Sequence, residues 1–210
     1  MHLFQKHCGK FGLFLDASMS FTDRIKSVVT SAFASIKNIS RIKSFLTGKE
    51  KCTLLTALVL SKLDYCNCLY YGLNGSLLNR LQIVQNSAAR LVFNKRKYAH
   101  TSHLLFELHW LPVKERIKYK INLIIHKALY GSSPCDIQSL VTISSIRTFN
   151  LKGDYKSNSM YGDRAFTVCA PQVWNQLSTN LKTETRLDTF KKKLKTFLFG
   201  NYFASFGFTY

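Results

Sequence analysis

The chain has 210 residues, 46% of them apolar, and carries 30 Lys and Arg against 11 Asp and Glu, a formal charge of +19. That length suits one substantial domain or a domain with an appendage, and that apolar content excludes general disorder. Like charge in such excess repels itself in a compact chain unless a polyanion or salt screens it, so nucleic acid is the first partner class to consider and an acidic membrane surface the second. The longest apolar run, LLTALVL at 54–60, is far short of the ~20 residues that span a bilayer. The N-terminus lacks signal-peptide order, because Lys and His interrupt it and Asp16 ends it. An intracellular setting, nuclear or cytoplasmic, is expected, with Cys8, Cys52, Cys66, Cys68, Cys135 and Cys169 reduced.

Taken in chain order, Phe11–Leu15 reads as one short strand ending at Asp16. A lone strand has no partner, so this start looks like the remnant of a sheet lying upstream. A helix follows, capped by Ser20 or Thr22, with Ile25, Val28, Val29, Ala32, Ile36 and Ile39 on one face. Thr47-Gly-Lys-Glu50 is a capping-box pattern. It starts a second helix that runs through LLTALVL, apolar all round and so expected at the centre of a bundle. After Asn74-Gly75-Ser76, a third helix carries Leu77, Leu81, Val84, Ala88, Leu91 and Val92 as its stripe.

A short helix near 101–108 precedes Trp110-Leu111-Pro112. Pro112 suits the first turn of the next helix, which places Ile117, Ile121, Ile124, Ile125 and Ala128 opposite Arg116, Lys120 and Lys127 and stops at Gly131. From Ser132 to Thr185 the pattern weakens. Pro134–Val141 reads as a short helix and Phe166–Trp174 as a strand or packed loop. Leu187–Phe199 is a last helix with Leu187, Phe190, Leu194, Phe197 and Leu198 on one face, Lys191, Lys192 and Lys195 around the other, and Gly200 as its end. The expected fold is mainly α: a helical bundle with a short N-terminal strand and an irregular or weakly β segment before the last helix. The expected divisions are 1–20, 21–131 and 132–210.

Four kinds of chemistry can be weighed. Cys66 and Cys68, with His100 and His103, are candidate zinc ligands, but a one-residue gap between cysteines fits structural zinc poorly, and small core side chains explain them better. Cys66 as a nucleophile needs His100, His103 or His109 beside it, which spacing does not supply. The seven Asp and four Glu include no adjacent pair, and a two-metal site needs clustered carboxylates. No phosphate-cradling glycine loop is present. The basic residues remain. Lys95-Arg96-Lys97 with Tyr98, the Arg116, Lys120 and Lys127 face, and Lys191, Lys192 and Lys195 can contact phosphates, and Tyr98 can stack on a base. A solvated helix face is the ordinary explanation of a charge run, but here too few acids exist to lace the surface with ion pairs. No metal and no cofactor is expected.

The ordered stretches GLFLDASMSFTDRI at 12–25, SKLDYCNCLYYGL at 61–73, LNRLQIVQNSAARLV at 78–92, LHWLPVKERIKYKI at 108–121, HKALYGSSP at 126–134 and GDRAFTVCAPQVWNQL at 162–177, with the Phe190–Phe199 helix, resemble one family. It is the C-terminal part of reverse transcriptases of non-LTR, LINE-type retrotransposons of the jockey-like groups, and the resemblance covers nearly the whole chain from Gly12. It implies that residues near 12–16 descend from the last palm strand and that the helices after them form a thumb-like region and a C-terminal extension. The family's aromatic-Ala-Asp-Asp signature has no match here, and Asp16 does not supply one. The resemblance therefore implies no catalytic residue in this chain. It implies a catalytically incomplete fragment whose partners are an RNA or DNA template–primer and an absent upstream palm. Non-specific nucleic-acid binding is the most it would retain. An interaction module or a relic is the alternative, and poor solubility of the isolated chain is expected. Leu63, Tyr65, Leu69 and Tyr70 around the two cysteines are expected in the core.

Overall fold

The computed structural model describes residues 20–131, 133–145, 147–153 and 162–208, Asp163 without its side chain. The expected strand at Phe11–Leu15 lies outside them, as does the 1–20 segment apart from Ser20. The protein is mainly helical, and β structure among the described residues is a single antiparallel pair. The chain forms two compact units, one from residues up to Cys66 plus Leu73–Val113, the other from Asn67–Gly72 plus Lys114–Tyr210. The boundary after Val113 precedes most of the helix that sequence reasoning placed in its 21–131 segment.

The first unit is built on α1 (Thr22–Arg41), α2 (Gly48–Leu55), α3 (Ser61–Asp64), α4 (Gly75–Val92) and α5 (Ser102–Glu107). Helix α1 buries Ile25, Val28, Ala32 and Ile39 and packs on α4, whose buried side is Leu78, Leu81, Val84, Gln85, Ala88, Ala89 and Val92. The seam of α4 runs slightly to one side of the expected one: Leu77 and Leu91 are half-buried while Leu78 and Ala89 are inside. Ser20 accepts a hydrogen bond from the Thr22 N–H at 3.3 Å, with Phe21 in the left-handed region between them.

The Thr47–Glu50 capping box forms as the pattern predicts. The helix it starts is not apolar all round in its burial. A π-helical turn over Thr56–Leu60 joins α2 to α3. One wide turn shifts the helical phase, so Leu55, Val59, Leu60 and Leu63 stay inside while Leu58 is 46% exposed. The Lys62 ammonium ties this stretch to α1, donating to the Ser31 carbonyl at 3.1 Å and to the Ser31 and Ser35 hydroxyls at 2.7 and 2.9 Å. Two of the four expected core residues around the cysteines are surface residues: Tyr65 is 42% and Leu69 41% exposed. The left-handed turn at Cys66 and the 3-10 turn over Asn67–Tyr70 break the helical facing that the expectation assumed. Tyr65 instead lies under the Arg24 guanidinium, 5.5 Å from its ring centre.

Trp110, Leu111 and Val113 are buried, and α4 holds the backbone of Leu111 and Val113. Gln85 Nε2 donates to the Leu111 carbonyl at 2.8 Å, and Gln82 Oε1 accepts from the Val113 N–H at 2.9 Å. The stretches LNRLQIVQNSAARLV and LHWLPV thus form one packing device.

The second unit contains nearly all of α6 (Val113–Leu129), then α7 (Cys135–Ser139), β1 (Ile143–Ser145), β2 (Asn150–Leu151), α8 (Phe166–Trp174), α9 (Thr179–Lys182) and α10 (Leu187–Ala204). Phe166–Trp174 is a helix, not a strand or loop. Pro171 inside it sacrifices one backbone hydrogen bond, but the helix buries Val168, Cys169, Ala170, Val173 and Trp174 in return. The β pair docks on its end. Trp174 Nε1 donates to the Phe149 carbonyl at 2.9 Å, and the Asn175 amide pairs with the Leu151 backbone at 2.9 and 3.2 Å. Buried Lys182 donates to Asn150 Oδ1 at 2.7 Å and to the Asn175 carbonyl at 3.1 Å.

Helix α10 runs through Gly200 to Ala204. An interior glycine costs about 1 kcal/mol, but Phe199 and Phe203 continue the buried stripe across it. The stop comes at Gly207, φ 76°, with Phe208 N–H bonded to the Phe203 carbonyl at 3.2 Å and Gly207 N–H to Ala204 at 3.1 Å. This is a Schellman cap, and the Phe203 and Phe208 rings meet edge to face across it, 6.0 Å apart.

Candidate nucleic-acid interface

In the first unit the basic run stands on the C-terminal end of α4. Asn94 takes φ 51°, the Lys95 N–H bonds the Arg90 carbonyl at 2.9 Å and the Asn94 N–H bonds Leu91 at 3.3 Å, a second Schellman cap. Arg90 Nε reaches across to the Ala99 carbonyl at 3.0 Å, and the Ala99 N–H returns to Arg96 at 3.1 Å. The turn over Lys95, Arg96, Lys97 and Tyr98 is therefore pinned at both ends with its side chains outside. All four are exposed, Tyr98 at 87%. The Lys97 ammonium lies 5.8 Å from the Tyr98 ring centre.

In the second unit α6 exposes Lys120 and Lys127 and leaves Arg116 half-buried. Helix α10 exposes Lys192 and Lys195. Half-buried Lys191 is engaged, 3.1 Å from Asp188, and Lys193 lies 2.6 Å from Glu184. The Lys193 contact holds the Glu184 carboxyl below the usual range. Lys191 also counters the burial that raises the Tyr119 phenol. Among the described residues, none of Lys95, Arg96, Lys120, Lys127, Lys192 and Lys195 pairs with a carboxylate. The ten sequence-selected residues fall in both units: Lys95, Arg96, Lys97 and Tyr98 in the first, Arg116, Lys120, Lys127, Lys191, Lys192 and Lys195 in the second.

Sequence reasoning missed Phe45 and Lys43 in the 3-10 turn between α1 and α2. The available signal is an aromatic outside both helical stripes, between a helix end and a capping box.

The other candidate centres take ordinary structural places. His109, φ 51°, is the left-handed residue of a Schellman cap on α5, with the Trp110 N–H on the Leu105 carbonyl at 2.9 Å. His103 Nδ1 pairs with Glu107 at 3.0 Å, one turn along α5. Burial, with the Cys68 thiol adding to it, pushes the Cys169 thiol up to about 11. Among the described residues no three His, Cys, Asp or Glu side chains come together, and no helix is long and apolar enough to cross a membrane. A cavity of about 270 Å³ in the second unit has Asn122, Val173, Leu177 and Leu198 as its buried wall and Gln176 and Asn201 at its exposed rim. No family model matches the chain, and neither does any curated protein or solved structure.

Proposed function

We propose that the chain is the helical, post-palm region of a non-LTR, jockey-like retrotransposon reverse transcriptase, and that it binds nucleic acid without polymerase chemistry of its own. The observation that carries the binding is that, among the described residues, the exposed Lys95, Arg96, Lys120, Lys127, Lys192 and Lys195, spread over both units, pair with no carboxylate. Fixed ammonium and guanidinium groups on helices and pinned turns suit phosphates spaced along a backbone, and they carry no base preference. The ordered family stretches support the descent.

Binding of this kind releases counterions, so affinity for a DNA duplex or an RNA–DNA hybrid should fall steeply with salt. Six to ten phosphate contacts would cost about 10³- to 10⁵-fold between about 50 and 200 mM salt. Fluorescence anisotropy with labelled duplexes across a KCl series measures the slope. Replacing Lys192 and Lys195 by Gln should lower it by about two. A flat response, or no binding at low salt, sinks the proposal and leaves an interaction module without nucleic-acid affinity.

A further inference from the structure

Phe45 at 86% and Tyr98 at 87% are the most exposed large apolar or aromatic side chains among the described residues; Phe206, at 51%, comes next. They are 53 positions apart in sequence, yet the fold puts them at one end of the first unit. The Lys51 ammonium, itself buried, donates to Asn94 Oδ1 at 3.2 Å. That bond ties the first turns of α2, which begin just after Phe45, to the cap of α4, which begins the Tyr98 turn. The same end carries Arg41, Lys43, Lys49, Lys95, Arg96 and Lys97, all exposed. Its nearby carboxylate, Glu50, is occupied by the Thr47 N–H at 2.7 Å and the Thr47 hydroxyl at 2.8 Å.

Folding gains nothing from a phenyl ring left in water, and the neighbouring helices are complete without it. We propose that this end of the first unit is a stacking platform for an unpaired stretch of nucleic acid. Phe45 and Tyr98 each take the face of a base, and Lys43, Lys49, Lys95, Arg96 and Lys97 take the phosphates between and around them. A duplex keeps its base faces stacked internally and offers these rings nothing, whereas unpaired bases stack on aromatics without regard to sequence. The platform rests on the nucleic-acid reading above and sharpens it to single strands.

The test uses the full chain with single-stranded oligonucleotides carrying 2-aminopurine, matched duplexes, and phosphatidylserine-rich vesicles. Single strands should bind with quenching of 2-aminopurine. Phe45→Ala and Tyr98→Ala should each weaken single-strand binding about five- to a hundredfold, with the salt slope and duplex affinity unchanged. Both positions are exposed, so unchanged circular dichroism and melting are expected and confirm that the variants fold. Duplex binding that equals single-strand binding and ignores both substitutions overturns the platform while the phosphate reading stands. Binding to neither nucleic acid removes both. Binding to vesicles in place of oligonucleotides, lost in Phe45→Ala, overturns the platform in favour of a membrane surface.

Discussion

His126 is buried in α6, its Nε2 donating to the Glu184 carbonyl at 2.8 Å and its ring stacked on Phe190 with centroids 4.2 Å apart. Burial lowers its pKa from the ordinary histidine value, against the opposing pull of the Glu184 carbonyl and carboxylate. The sign of the pH effect follows. In the unfolded chain the imidazole protonates near its ordinary value of about 6.5. In the folded chain it stays neutral to a lower pH, so over that interval the unfolded state binds more protons and stability falls as pH falls. Urea unfolding followed between about pH 7.5 and 5 should show this loss. His126→Gln, which keeps a donor for the Glu184 carbonyl but cannot titrate, should flatten the loss. A variant with the same pH profile as the parent would assign the effect to other groups. Asn122 and Gln85 show how context sets the worth of a buried amide. Gln85 satisfies the Leu111 carbonyl, whereas the Asn122 amide, fully buried beside the cavity, has no protein hydrogen-bond partner, so no protein group offsets its desolvation.

At the scale of elements, Asn94 does two jobs: it adopts the left-handed conformation that ends α4, and it accepts the buried Lys51 ammonium. Glycine can do the first job and neither glycine nor alanine the second. Asn94→Gly should therefore lose only the Lys51 bond, while Asn94→Ala should lose that bond and add strain of about 1 kcal/mol or more. Thermal melts should rank the parent first, glycine next and alanine last; equal melting for the two variants would remove the backbone argument. The long helices and the Thr47–Glu50 cap of α2 were legible in the sequence because a 3.6-residue stripe and a Thr-x-x-Glu box are local signals, whereas the Asn94 cap was not read there. The departures come from tertiary terms. Leu58 faces outward because a π turn resets the phase. Phe166–Trp174 is helical because five buried side chains outweigh Pro171, and α10 crosses Gly200 because Phe203 has a core to enter. The short α9 helix has no stripe long enough to read.

At the scale of the molecule, the candidate surface was only partly legible. Charge runs such as Lys95–Lys97 and Lys192 with Lys195 stand in the sequence, but the placement of the Phe45 and Tyr98 turns at one end of the first unit is read from a Lys51–Asn94 bond across 43 positions. Composition fixes one further property. A compact chain with a formal charge of +19 stores self-repulsion that the expanded chain relaxes. Added salt screens it, so the melting temperature of the free protein should rise from about 50 to 300 mM KCl, within the range where the Debye length shrinks below about 10 Å. Nucleic-acid binding has the opposite dependence, since counterion release weakens as salt rises. A saturating oligonucleotide should raise the melting temperature most at low salt, by mass action on the folded state, and progressively less as salt increases. Differential scanning fluorimetry with and without oligonucleotide would yield two curves that converge at high salt. Parallel curves would show that the oligonucleotide is held by contacts other than the phosphates, and a free-protein curve that falls with salt would show that the basic groups are already neutralised within the fold.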